Sequence, residues 1–334
     1  MRRCFDLARF SANKVKTNPP VGALIVRGQE ILSEGFHERF GGPHAEVNAI
    51  KSLSDEAIRQ SDIYVSLEPC SHYGKTPPCA QLLVEKKIRA CHISQIDPNP
   101  VVSGKGIDML TNAGIEVWTG ISPDEGAQLL RPFDIQQKCK RSYVILKWAQ
   151  SRDGFMGMIG KRTKISSPLS DRLVHKWRSE VGAIMVGSNT VVVDDPQLGN
   201  RLYWGSSPTR VVLDRTHKIS DSARILNEPE IPTLYYTSQR RQSENSAFST
   251  VIIPQGEGLA FILKDLYQKE FGTVLVEGGT KLISHFIEAK LWDEIRIIEN
   301  PAILNEGVKA PSLPMGKRRS WQLGEDRIHQ IYPQ

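Results

Sequence analysis

The chain has no long apolar run. No hydrophobic stretch approaches the roughly 20 residues that span a bilayer, so no membrane partner is expected. Its start, Met1-Arg2-Arg3-Cys4-Phe5-Asp6, lacks the apolar core of an export signal. Cysteine is scarce: five in 334 residues, an odd number at scattered spacings. Without an export signal, that pattern argues against a disulfide framework and makes a reducing cytoplasm the expected compartment. No internal repeat links the halves. Basic charge is not concentrated, although the net charge is +6. The densest clusters are Lys138-Cys139-Lys140-Arg141, Arg240-Arg241 and Lys317-Arg318-Arg319. Each is short and lacks interleaved aromatics, so they read as solvated surface and no nucleic-acid partner is expected. A mild positive balance equally suits a phosphorylated small substrate.

What is present is enough for two ordinary domains. A length of 334 residues suggests about two, and 40% hydrophobic residues suffice for their cores. The first half alternates strands and helices. Residues 4–11 have helical spacing, with Phe5, Leu7, Ala8 and Phe10 available for a buried face. Strands are predicted over 23–26, 31–36, 63–67, 91–96 and 115–118, with helices over 45–53, 80–87 and up to Leu110. This alternation is that of a layered α/β domain.

Chemistry concentrates at Pro43-His44-Ala45-Glu46, Pro69-Cys70 and Cys79. One imidazole and two thiols supply three zinc ligands and leave a fourth position for water. Zinc with an open position makes its water acidic enough to attack near neutral pH. Glu46 suits the role of proton carrier. Two residues apart, His44 and Glu46 do not share a side face of a helix. They address one site only if it lies off the helix's N-terminal end. Cys79 opens its own helix, where the thiolate is favoured. The bland alternative is a buried cysteine pair beside a surface histidine. A closed structural zinc would need a fourth protein ligand, for which His72 is the nearest candidate. Cys91 reads as a small buried apolar residue, and Cys4 and Cys139 have no partner motif.

The pattern resembles the His-x-Glu…Pro-Cys signature of zinc deaminases, with eight residues between the cysteines instead of two. The run from Glu68 to Cys79, Glu68-Pro69-Cys70-Ser71-His72-Tyr73-Gly74-Lys75-Thr76-Pro77-Pro78-Cys79, resembles the deaminase domain of the bifunctional riboflavin biosynthesis enzymes. So do Asn18-Pro19-Pro20-Val21-Gly22, Gly35-Phe36-His37-Glu38-Arg39 and Asp97-Pro98-Asn99-Pro100. The resemblance implies a cytidine-deaminase-like αβα sandwich with His44, Cys70 and Cys79 on Zn2+ and Glu46 as the catalytic proton shuttle. It implies Asn18 and His37 as contacts to a phosphoribosylated pyrimidine.

A new strand begins near Tyr143, which puts the domain boundary near residue 141 and gives domains 1–140 and 141–334. Ser166-Ser167-Pro168 caps a helix that carries Leu173, Val174 and Trp177 inward. Asp194-Asp195-Pro196 reads as a turn. The strand over 273–277 leads into Gly278-Gly279-Thr280 and a helix. Two glycines let the backbone approach a ligand, and free helix N–H groups favour phosphate. This is not the Gly-x-Gly-x-x-Gly fingerprint, so an ordinary dinucleotide fold is not indicated. Lys147…Ser151-x-Asp153-Gly154, Asn189-Thr190…Asp194-Asp195-Pro196, Leu198-x-x-Arg201 and Glu277-Gly278-Gly279 resemble the reductase domain of the same family, a dihydrofolate-reductase-like α/β fold.

That resemblance implies NADPH at Ala149, Thr190, Asp194, Gly279, Thr280, Lys281 and Leu282. It implies substrate at Arg162, Arg178, Leu198, Arg201 and Glu277. Arginine suits this, since it grips phosphate in bidentate fashion. Three departures stand out: Arg152 inside Ser-x-Asp-Gly, Thr163-Lys164 near the cofactor, and Gly199-Asn200, expected to loosen the backbone. The expected function is deamination of 2,5-diamino-6-(5-phosphoribosylamino)pyrimidin-4(3H)-one followed by NADPH-dependent reduction of its ribosyl group, in a homodimer. Two other readings stay open from sequence: a deaminase of another pyrimidine or of RNA with a non-catalytic second half, and a zinc-stabilised interaction protein.

Overall fold

The computed structural model describes residues 1–11, 13–73, 77–99, 102–239 and 247–334. Gly74-Lys75-Thr76 of the cysteine loop, Pro100, and Arg240-Arg241 lie outside them. The chain divides into two compact units, Met1–Lys140 and Arg141–Gln334. Among the described residues, no helix is long and apolar enough to cross a membrane.

The first unit runs α1 (Arg2–Arg9), β1 (Gly22–Arg27), β2 (Glu30–Phe36), α2 (Ala45–Ile50), α3 (Asp55–Arg59), β3 (Asp62–Leu67), α4 (Cys79–Glu85), β4 (Ala90–Gln95), α5 (Lys105–Asn112), β5 (Glu116–Trp118) and α6 (Pro123–Cys139). Its sheet has the order β2-β1-β3-β4-β5. β1 is antiparallel to β2 and β3, while β3, β4 and β5 run parallel. Period-two alternation sorts the side chains between faces. Ala23, Ile25, Ile63, Val65, Cys91 and Ile93 meet Ala45, Ala49, Ala80 and Leu83 of α2 and α4. Leu24 meets Cys4 and Leu7 of α1 on the opposite face.

Phe10 is not part of a buried face: it is 54% exposed. The helix ends at Arg9, so Cys4, Leu7 and Ala8 fill the inner stripe and Phe10 swings outward towards Phe36. The expected helix over 45–53 is also shorter. It stops at Ile50, and α3 begins anew behind Ser54, whose hydroxyl accepts from Ala57 N at 3.3 Å.

The second unit runs β6 (Tyr143–Ser151), α7 (Pro168–Ser179), β7 (Ala183–Gly187), α8 (Ser188–Asp194), β8 (Thr209–Leu213), α9 (Arg224–Asn227), β9 (Thr233–Thr237), β10 (Phe248–Ile252), α10 (Leu259–Gln268), β11 (Thr273–Glu277), α11 (Thr280–Glu288), β12 (Glu294–Asn300), β13 (Lys317–Leu323) and β14 (Asp326–Tyr332). Its sheet order is β10-β9-β8-β7-β11-β6-β12-β14-β13. The strands from β10 to β12 pair in parallel, and β14 and β13 close the edge antiparallel. Parallel strands buried on both faces read as continuous apolar runs, as at 143–146, 183–186 and 274–276. Asp194 ends a short helix where a turn was expected, and the turn follows at Asp195, φ 39°. Asp293 anchors the first strand: its carboxylate takes Arg141 in two bonds of 2.6 and 2.7 Å and Val144 N at 2.8 Å.

Two glycines in the first unit are demanded by close approach. A Cβ on Gly35 would lie 2.3 Å from Ala49 N and 2.4 Å from Ala45 O, both backbone atoms of α2. A Cβ on Gly106 would lie 2.1 Å from the Pro69 carbonyl oxygen. Gly35→Ala should therefore push α2 from the sheet and destabilise the first unit by about 1–3 kcal/mol, read as a lower urea midpoint. An unchanged midpoint would show that α2 yields freely.

Candidate functional site

His44 is the N-cap of α2 and Glu46 stands two residues inside it. Both address the N-terminal end of the helix, which satisfies the condition set by their spacing. β3 delivers Cys70 beyond its end, and Cys79 is the first residue of α4. His44 Nδ1 lies 3.5 Å from Cys70 Sγ and 3.4 Å from Cys79 Sγ. All three ligand atoms fall within 4.8 Å of one another. A tetrahedral zinc about 2.0–2.1 Å from nitrogen and 2.3 Å from sulfur would hold those atoms roughly 3.6 Å apart. The donor set and its spacing therefore fit zinc. His72 is exposed and outside this cluster, which leaves three protein ligands among the described residues.

The Cys79 thiol, followed by His44, pulls Cys70 down to about 4, so Cys70 is the readier thiolate. Glu46 is 3% exposed, and burial pushes its carboxyl up to about 7. His37 lies against His44, rings 5.5 Å apart and edge-on. Its Nδ1–H donates to the Pro43 carbonyl at 3.0 Å. Nε2 is then the acceptor for Asn18 Nδ2, 3.2 Å away. This neutral tautomer agrees with burial, which lowers the pKa of His37. His37 thus holds the Asn18 side chain through its amide nitrogen.

Glu68 was quoted in a motif but given no role. It is 3% exposed, and its carboxylate accepts from Asp97 N (3.1 Å), Gly104 N (3.0 Å), Gly106 N (2.9 Å) and Ile107 N (3.4 Å). It ties the chain entering α5 to the strand end that carries Cys70. Asp97 in turn accepts from Asn99 N at 2.8 Å.

In the second unit, β7, β11 and β6 lie side by side in parallel. Ligands of open α/β sheets bind beyond the carboxyl ends of such strands. Those ends bring Ala149, Gly187 and Gly278-Gly279 to one edge. Thr190 Oγ1 accepts from Gly279 N at 3.1 Å and ties the start of α8 to that of α11. The first hydrogen bond within α11 is Ile283 N to Gly279 O, so the N–H groups of Thr280, Lys281 and Leu282 precede it. Three such donors fit a phosphate of NADPH. The Leu282 side chain is buried beneath Gly278, so only its backbone is available. Asp194 is half-buried, with Arg162 close enough to oppose the upward shift that burial gives it.

Arg178 is no surface charge. It donates from Nε and NH2 to Glu277, both at 2.9 Å, and from NH1 to Gly199 O at 3.1 Å. Lys147 Nζ lies 3.6 Å from the same Glu277. Burial alone would raise the Glu277 carboxyl, but Arg178 and Lys147 overcome it and hold it down at about 2. Gly199-Asn200 is not loose. Besides the Arg178 bond, Asn200 N donates to Ser207 Oγ at 2.9 Å, and a Cβ on Gly199 would meet Ile231 at 2.9 Å. Leu198 is buried at φ 57°. Arg201 is exposed, its guanidinium on Gln197.

Known proteins give both sites a common context. Residues 1–95 match the model of the cytidine and deoxycytidylate deaminase zinc-binding region, and residues 142–328 match that of the RibD C-terminal domain. A riboflavin biosynthesis protein RibD from Aquifex aeolicus (strain VF5) is 35% identical, covering 98% of this chain and 96% of its own. The chain belongs to the RibD family of riboflavin biosynthesis proteins. Two solved RibD-family structures agree. A diaminohydroxyphosphoribosylaminopyrimidine deaminase/5-amino-6-(5-phosphoribosylamino)uracil reductase from Thermotoga maritima has TM-score 0.91 at 33% identity, covering all of this chain and 97% of that one. Acinetobacter baumannii RibD has TM-score 0.88 at 33% identity, with the same coverage. RibD membership makes the chain a deaminase and a reductase, with zinc and NADPH as its cofactors.

Two outcomes test this geometry. Metal analysis of the purified protein should find about one zinc per chain, falling towards none in Cys70→Ser, while NADPH oxidation survives. Full zinc in that variant would exclude the cluster. Glu277 has a folded pKa below its ordinary 4.5, so its contribution to stability is complete above 4.5 and fades as pH falls towards about 2. The urea-midpoint deficit of Glu277→Gln should therefore be largest near neutrality and shrink in acid. A deficit that grows in acid would contradict the ion-pair account.

Proposed function

We propose that the first unit hydrolytically deaminates 2,5-diamino-6-(5-phosphoribosylamino)pyrimidin-4(3H)-one. The second then uses NADPH to reduce the ribosyl group of 5-amino-6-(5-phosphoribosylamino)uracil. The observation that carries the first step is the buried Glu46 beside three convergent ligand atoms. His44, Cys70 and Cys79 hold zinc, which supplies the Lewis acidity that makes water nucleophilic near neutral pH. Glu46, with its carboxyl near 7, accepts a proton from the attacking water and passes it towards the leaving ammonia. Asn18 is oriented by His37 and offers its carbonyl oxygen to the pyrimidine.

In the second step, the protein positions reactants and the cofactor supplies the hydride. Ala149, Thr190, Asp194 and the turn from Gly279 to Leu282 hold NADPH. Glu277 locks Arg178 in place, Leu198 and Arg162 border the substrate, and Arg201 takes its phosphate. The thiol ligands require a reducing compartment, which supports a cytoplasmic location. A homodimer through the reductase half is part of the same reading.

Glu46→Gln should lower the rate of ammonia release by about 10²–10⁴-fold. The same variant, given the deaminated pyrimidine, should oxidise NADPH at the wild-type rate. Normal ammonia release would remove Glu46 from the mechanism.

A further inference from the structure

The segment from Gln197 to Arg201 is held at several points from outside itself. Arg178 holds the Gly199 carbonyl and Ser207 holds the Asn200 amide. Gln197, which accepts from the Arg201 guanidinium, donates to Glu228 Oε1 at 3.0 Å. The Arg201 N–H donates to His175 Nδ1 at 2.8 Å. His175 is 5% exposed and stands three residues before Arg178 on α7, so the two share one helix face. That face supplies one acceptor and one donor to the backbone on either side of Asn200.

An imidazole that accepts at Nδ1 is neutral and carries its proton on Nε2. The groups facing it favour this form. Burial lowers the pKa of His175, as do the Arg178 and Arg201 cations, with Asn200 and Glu277 opposing. Protonation would set one N–H against another and remove the bond. The backbone of Arg201 would then lose its fixed position, while Arg178 would stay locked on Glu277.

We propose that His175 is a positioning residue of the reductase site, whose neutral imidazole fixes the backbone of Arg201 so that the guanidinium meets the substrate phosphate. The inference rests on the role proposed for Arg201. It explains why a glycine-asparagine pair is tolerated beside that arginine: rigidity comes from α7, not from the loop's own residues.

The test is steady-state kinetics of the full chain with 5-amino-6-(5-phosphoribosylamino)uracil and NADPH, from about pH 8 down to about pH 4.5, below the ordinary imidazole range. His175→Ala should raise KM for the pyrimidine about three- to tenfold, with kcat, KM for NADPH and ammonia release nearly unchanged. His175→Asn places a non-titrating oxygen near the position of Nδ1. It should restore KM at neutral pH and show a smaller rise in acid than wild type, leaving only the titration of the substrate phosphate near about 6. Arg201→Ala should raise KM more, and adding His175→Ala to it should change little. If Arg201→Ala raises KM but His175→Ala does not, His175 has no positioning role. If Arg201→Ala itself leaves KM unchanged, the phosphate role fails and the inference falls with it. Should His175→Ala fail to fold, the pH profile of His175→Asn decides: one that superimposes on wild type overturns the proposal.

Discussion

Three ligand atoms carried by separate elements have to meet at one point, and much of the first unit follows from that requirement. His44 caps α2, Cys70 follows β3 and Cys79 opens α4, yet their donor atoms lie within 4.8 Å. Side chains this short leave the backbone little latitude. α2 is set against β2 closely enough that only glycine fits at position 35. The end of β3 is held by Glu68, one carboxylate serving four backbone N–H groups. Such bonds to a charged acceptor are stronger than neutral ones, which suits a strand end that must not drift. The hydrophobic sheet thus sets the approach of the helices, and a small number of polar bonds set the final geometry.

The two units use buried glutamates in opposite ways. Glu46 is buried, and desolvation outweighs the opposing pull of His44, so its carboxyl stands near 7. Glu277 is buried between Arg178 and Lys147, which hold it ionised at about 2. The first carboxyl can exchange a proton near neutral pH because burial opposes its charge. The second is a fixed strut because its charge is not in question. One residue type takes two roles, and the surrounding charges decide which.

Sequence patterning exposed most of the scaffold. The apolar runs of the central strands and the strand-to-helix placement of His44, Cys70 and Cys79 were legible because local periodicity and ligand chemistry agree there. What stayed hidden depends on distant partners. Phe10 looked apolar enough to be buried, but the helix ends before it. β13 and β14 escaped notice because β13 is an exposed, charged edge strand with little apolar alternation. Glu68 and Lys147 were visible only as motif letters. Alternation in β6 places Lys147 on the face of Tyr143 and Ile145, a signal that pointed to burial and hence to a carboxylate partner. His175 had a similar signal in its three-residue spacing from Arg178. Gly199-Asn200 was expected to be loose, since composition speaks only for the chain itself and the restraints come from α7 and Ser207.

The central claim is that one chain performs both steps on the same pyrimidine. Ammonia release and loss of nicotinamide absorbance, followed together in a single reaction of the intact protein supplied with the diaminopyrimidine substrate, zinc and NADPH, test it most directly. Ammonia should appear first, and NADPH should then be consumed in equal amount. Ammonia release with no NADPH consumption, under conditions where the cofactor binds, would contradict it.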